Sequence, residues 1–195
     1  MWNYKYQSGK KEHEFNFMAR DIILDNVDNI ESTCEIGAGT GQMSKLIRDK
    51  KEVYSTMIDS SQSACNYIRE YFIDNGYYFD IKYADIFVHT KDYTADLVMS
   101  SGLIEHFKGD KLREIVDIHK KMSNKYVAII VPNATKENIE FSATEKCKRQ
   151  YGYQKPISED ELNSMVTDKN WERVYSKVFY KNDKLLIGIY KRKDK

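Results

Sequence analysis

The stretch Glu35-Ile36-Gly37-Ala38-Gly39-Thr40-Gly41 decides the fold. Thr33 to Ile36 reads as a short strand, and Met43, Leu46 and Ile47 as one face of a helix, so the glycines join a strand to a helix. At such a junction the first backbone N–H groups of the helix are open, and glycine lets a ligand approach closely. The spacing is GxGxG. A dinucleotide loop has GxGxxG, so the third glycine falls one residue early for a nicotinamide cofactor. Glu35, two residues before Gly37, would repel a pyrophosphate and suits a cationic ligand.

Outward from this loop, strands and helices alternate. Phe15, Met18, Ala19, Ile22 and Ile23 mark a helix before it. Val53 to Ile58 is a strand ending at Asp59. Ser60 or Ser61 then caps a helix whose apolar positions are Ala64, Tyr67, Ile68, Tyr71 and Phe72, closed by Asn75-Gly76. Tyr78 to Tyr83, Asp96 to Ser100 and Tyr126 to Val131 are further strands, with a helix through Leu112, Ile115, Val116 and Met122 before the last. Such alternation predicts a parallel sheet with helices on both faces. After Pro132 the pattern loosens: residues 133–157 are polar, aromatic and only partly helical in period. A helix near Glu159 to Thr167 precedes two strands, Arg173 to Tyr180 and Leu185 to Tyr190, which form an antiparallel hairpin about Asn182-Asp183.

The chain has 195 residues, 41% hydrophobic and 31% charged, which fits one globular domain over residues 1–195. Lys and Arg number 31 against 30 Asp and Glu, a formal charge of +1. That balance counts against a nucleic-acid partner, whose phosphates call for a basic excess. No segment approaches the ~20 apolar residues that span a bilayer, and the N-terminus has no signal-peptide core. Cys34, Cys65 and Cys147 form no CxxC pair. Neither a disulfide framework nor a metal site is expected, and a reduced, cytoplasmic setting fits.

Two more carboxylates stand at strand ends. Asp59 lies 18 residues past Gly41, where a carboxylate accepts both hydroxyls of a ribose, or serves as a helix N-cap. Asp85 follows the third strand, where it meets an adenine amino group with Ile86 against the ring, or simply makes a turn. With the loop, Asp59, Asp85 and the segment Asp96-Leu97-Val98-Met99-Ser100-Ser101-Gly102-Leu103-Ile104-Glu105-His106-Phe107, the chain resembles the class I S-adenosylmethionine-dependent methyltransferases, small-molecule type, from about residue 10 to its end.

The resemblance implies a Rossmann-like three-layer α/β/α sandwich on a mostly parallel seven-stranded sheet with an antiparallel last strand. It implies S-adenosyl-L-methionine as cofactor and S-adenosyl-L-homocysteine as product. Gly37, Ala38, Gly39 and Gly41 would line the methionine and ribose part, with Glu35 shaping the loop near the cationic amino-acid end. Asp59 and Ser60 would sit at the ribose, Asp85 and Ile86 at the adenine, and the Ser100 carbonyl at the ammonium. Glu105 and His106 fall beside the expected methyl position. His106 is either a general base or a structural residue of that loop. His13 and His119 are read as exposed or helix-flank positions, and His89 as part of a solvated loop.

Acceptor recognition is assigned to two stretches. Trp2, Tyr4 and Tyr6 alternate in an N-terminal segment (1–30, a helix and lid) that in relatives often folds over the cofactor. Residues 133–157 would form a substrate lid, with Leu103, Phe141, Tyr151 and Tyr153 lining an apolar pocket. Lys146-Cys147-Lys148-Arg149 is solvated surface or meets an anionic group. The expected activity is methyl transfer to an O, N or S atom of a small molecule. The alternatives are an RNA or protein methyltransferase working with a partner, and a non-catalytic cofactor-binding scaffold. The pattern assigns no oligomeric state.

Overall fold

A computed structural model describes residues 14–89 and 93–193. Strand β1 (Ser32–Ile36) leads through the glycine loop into helix α2 (Gln42–Arg48), after a first helix α1 (Glu14–Asn26). Then follow β2 (Tyr54–Asp59), α3 (Gln62–Ile73), β3 (Asp80–Tyr83) and β4 (Ala95–Ser101). A 3-10 turn (Ile104–His106) separates β4 from α4 (Asp110–Met122) and β5 (Ser123–Pro132). The rest comprises α5 (Lys136–Ala143), α6 (Glu145–Tyr151), α7 (Glu159–Val166), β6 (Trp171–Phe179) and β7 (Leu185–Arg192).

The seven strands lie in the order β3-β2-β1-β4-β5-β7-β6. Pairs from β3 to β5 are parallel, and β7 runs antiparallel to both β5 and β6. This is the expected sheet with its reversed last strand. Successive residues of the central strands face opposite layers. Leu97, Met99, Ala128 and Ile130 pack with Ala19 and Ile23 of α1. Val98, Val127 and Ile129 pack with Ile115 of α4 and Leu162 of α7. Both faces are covered, which is why β4 and β5 read as nearly unbroken apolar runs instead of alternating ones.

One open alternative is resolved, and three differences from the sequence expectation have local causes. Ser61, not Ser60, caps α3: its side chain accepts the Ala64 N–H at 3.3 Å. On α3 the buried stripe is Ala64, Cys65, Ile68 and Phe72, while Tyr71 is exposed and stacks edge-on against Phe72. The third strand begins at Asp80 instead of Tyr78, because Tyr77 and Phe79 turn onto Phe72 (ring centres 6.0 and 5.3 Å). His119, expected at the surface, is fully buried. It stands four residues after Ile115 and three before Met122, on the core stripe of α4. Ser100 Oγ lies 2.9 Å from its Nε2 and the Ile115 carbonyl 2.7 Å from its Nδ1. The period was visible in the sequence; the polarity of the side chain masked it.

The insertion after β5 is two capped helices. Thr135 accepts the Asn138 N–H at 3.2 Å and Thr144 the Cys147 N–H at 3.1 Å. Each cap contributes about 1 kcal/mol. The base is closed by Ile157 N–H on the Pro132 carbonyl (2.9 Å) and Ala134 N–H on the Ile157 carbonyl (3.2 Å).

Two measurements test this packing. Gly41 has φ +69°, and a Cβ there would lie 2.7 Å from Met57 Sδ and 2.8 Å from Phe72 Cε2. Gly76 has φ +78° with nothing within 4 Å. Gly41→Ala should cost about 3 kcal/mol, combining strain and overpacking, and Gly76→Ala about 1 kcal/mol. Equal losses in urea melts would contradict the close approach at Gly41. Burial lowers the His119 pKa to about 4. Above pH 6.5 folded and unfolded chains are both neutral there; between pH 6.5 and 4 only the unfolded chain takes the proton, so folding is penalised on acidification. Wild type should lose about 3 kcal/mol relative to His119→Gln over that interval.

Candidate cofactor and acceptor site

Strands β1 and β4 are neighbours whose connections leave in opposite directions, so their C-terminal ends open a crevice, the usual ligand site of such sheets. Gly37, Gly39 and Gly41 all have φ between +55° and +69° there, so the loop's conformation selects glycine. The Gly37 and Ala38 N–H groups both reach the Ile58 carbonyl (2.8 and 3.1 Å). A Cβ on Gly39 would meet only the Gly37 carbonyl, at 3.9 Å, so the loop's backbone stands open to a ligand.

Asp59 binds this loop directly. Oδ2 accepts the Gly39 N–H at 2.9 Å and Oδ1 the Ser61 N–H at 2.7 Å. Burial raises its pKa above the usual carboxylate range, against the two N–H bonds that favour the charge. Asp59 is therefore not the helix cap; it joins the glycine loop to the start of α3, which Ser61 caps. Ser60 is exposed beside it.

Glu35 is fully buried, and Oε2 accepts both the N–H (2.9 Å) and the hydroxyl (2.6 Å) of Ser44 in the first turn of α2. Burial, opposed by these bonds, lifts its pKa to about 7. The carboxyl shapes the loop from behind. Leu103, expected in the acceptor pocket, lies over Gly37 instead: its Cδ1 is 2.8 Å from where a Cβ would be. Thus the loops after β1 and β4 interlock.

Asp85 is exposed, with Oδ1 on the Phe87 N–H at 2.9 Å, a turn at the end of β3. Ile86 is only 8% exposed and packs in the core with Ile36 and Ile58. The Ser100 hydroxyl is engaged by His119.

Glu105 and His106 sit on the 3-10 turn. Glu105 is 1% exposed, its Oε2 lacks a hydrogen-bond partner, and burial raises its pKa to about 8, so it is a neutral acid at pH 7. His106 is half-buried, its Nδ1 2.7 Å from the Tyr153 carbonyl. Burial lowers its pKa, opposed by the Tyr153 and Gly102 backbone. The Lys155 N–H also donates to the Glu105 carbonyl (2.9 Å). Residues 153–155 are thereby fastened to the turn after β4.

Phe141 and Tyr151 meet edge-on at 6.3 Å, while Tyr153 lines a cavity of about 830 Å³ that the other two do not line. Within the basic run, Cys147 is buried and only its neighbours are solvated. Tyr4, Tyr6, Trp2 and His13 lie outside the described residues. Sequence reasoning missed Ser44, His119 and Lys108. Only His119 carried a periodic signal; the others matter through contacts that span long stretches of chain. Among the described residues no helix is long and apolar enough to cross a membrane.

No curated protein matches the chain. The fold is shared with magnesium protoporphyrin IX methyltransferase (ChlM) from Synechocystis PCC 6803 with bound SAH, at a TM-score of 0.72, 11% identity, 90% of this chain and 80% of that one. It is shared with the mitomycin 7-O-methyltransferase MmcR at 0.72, 13% identity, 92% of this chain and 54% of that one. The N-methyltransferase NodS from Bradyrhizobium japonicum WM9 gives 0.65, 14% identity, 93% and 96%. Residues 34–124, from β1 through the first residues of β5, match the family model described as a methyltransferase domain. Residues 34–124 thus match a methyltransferase domain, and the chain has the fold of these methyltransferases.

Proposed function

We propose that the protein transfers a methyl group from S-adenosylmethionine to an O, N or S atom of a small molecule. The observation that carries this is the Asp59 carboxylate clasped to Gly39 and Ser61 at the mouth of the β1/β4 crevice. Each oxygen has taken one N–H and keeps a second lone pair for a ribose hydroxyl. Gly39 presents open backbone to the rest of the cofactor, with Gly37 beside it, and the Ser100 carbonyl would take its ammonium. Asp85 and Ile86 flank its adenine. Bound S-adenosylmethionine would supply an electrophilic methyl together with its own leaving group. The protein's task is alignment and proton removal. ChlM, MmcR and NodS are named for methyl transfer, and the first two for small-molecule acceptors, which supports a small acceptor here.

His106 is the proposed base. Its Nδ1–H donates to the Tyr153 carbonyl, which orients the ring on the turn. Burial keeps the ring neutral to a lower pH than an exposed histidine. As the acceptor takes the methyl group, His106 would receive the acceptor's proton. Residues 133–157 act as the lid over this step, and Glu105, neutral beneath the turn, supports it.

Asp59→Ala should weaken S-adenosylmethionine binding at least tenfold in calorimetry, since hydrogen bonds to a charged group contribute about 1.5–3 kcal/mol. Unchanged affinity in a folded variant would remove Asp59 from the cofactor site. Incubation with methyl-labelled S-adenosylmethionine and a metabolite extract should label a small molecule; binding without any labelled product would favour a scaffold. His106→Ala should lower turnover ~10²-fold. In wild type the acid limb of kcat/KM should lie below pH 6.5, because only the neutral ring accepts the proton. A loss of a few-fold with an unchanged pH profile would leave His106 as a fastening for the lid only.

A further inference from the structure

The cavity of about 830 Å³ lies beyond the C-terminal end of β5, within the range of small-molecule sites. Its apolar wall includes Ala134, Ile139, Tyr153 and Pro156. Its charged wall is Lys108, Lys148 and Lys155 against the single acid Glu161. That is a local cationic excess in a chain whose charges otherwise balance at 31 to 30. Lys155 pairs with Glu161 and Lys148 with Glu145, both at partly exposed positions. Lys108 differs. It has no carboxylate partner among the described residues, and its Nζ rests 4.1 Å from the Tyr153 ring centre. An ammonium on a ring face keeps its charge and its donors, and an anion completes its shell better than water does.

The cavity is tied to the chemistry by backbone. Tyr153, in its wall, receives the His106 hydrogen bond, and Lys155 donates to the Glu105 carbonyl. Lys108 stands two residues past His106 on the same loop. A ligand held here therefore borders the turn beside the methyl position.

We propose that this cavity seats the methyl acceptor, and that the acceptor joins an apolar body to an anionic group, a carboxylate or a phosphate, which Lys108 meets. The proposal rests on the methyltransferase assignment and adds the substrate class. A recess of this size matches a discrete small molecule.

The test uses the full chain, methyl-labelled S-adenosylmethionine and a whole-cell extract divided into metabolite, nucleic-acid and protein fractions. The labelled metabolite is identified by mass. Its parent, the product less one methyl, should be an anion retained on an anion exchanger at pH 7. Carboxylate and phosphate parents are then distinguished by mass and phosphatase treatment. Lys108→Ala should raise the KM for that parent at least tenfold and leave S-adenosylmethionine affinity unchanged, and Lys108→Arg should restore most of the loss. A neutral or cationic parent, or a KM that Lys108→Ala does not move, overturns the proposal while leaving the small-molecule activity intact. Label confined to nucleic acid or protein, or no labelled product at all, overturns both.

Discussion

The site depends on a carboxylate that holds its own loop. Asp59 reaches from the end of β2 to the Gly39 N–H on one side and the Ser61 N–H on the other. Three glycines in left-handed conformations have no side chains with which to fix themselves, so the loop needs an external clamp. Glu35 supplies a second one from below, through Ser44. Between the two carboxyls the loop is set before a ligand arrives, and less ordering remains for binding to accomplish.

The order of elements was legible in the sequence because the core demands it. Leu97, Val98 and Met99 are apolar since helices cover both faces of β4, and Phe15 to Ile23 show a helical period since only one side of α1 meets the sheet. The reversed hairpin was legible from its turn, where Tyr180 through Asp183 all have positive φ. Less was visible where tertiary packing overrides local pattern. The aromatic cluster on Phe72 delays β3, and the polar His119 fills a core position with Ser100 as its partner. The two helices after β5 are two turns each, with no buried residue in α5, so they have almost no periodicity to read.

The cofactor half of the site was legible for a similar reason. Close backbone approach restricts residue type to glycine, and a hydroxyl pair calls for a carboxylate at a strand end. The placement of Leu103 over Gly37 shows the limit of such reasoning: an apolar side chain next to a site is claimed by the nearest void. The acceptor half has no such grammar. Its wall is assembled from Lys108 on one loop and residues 134–161 on another, joined by main-chain bonds that no side-chain pattern encodes.

The buried acids have an electrophoretic consequence. Just below pH 7, Glu105, with a pKa near 8, is largely protonated in the folded chain, and Glu35, with a pKa near 7, about half. Taking about one and a half charges off the 30 carboxylates, against 31 cations, gives a charge between +2 and +3, where the composition gives +1. Folding at that pH takes up more than one proton at these two acids, and the native protein migrates as a more basic species than its sequence describes.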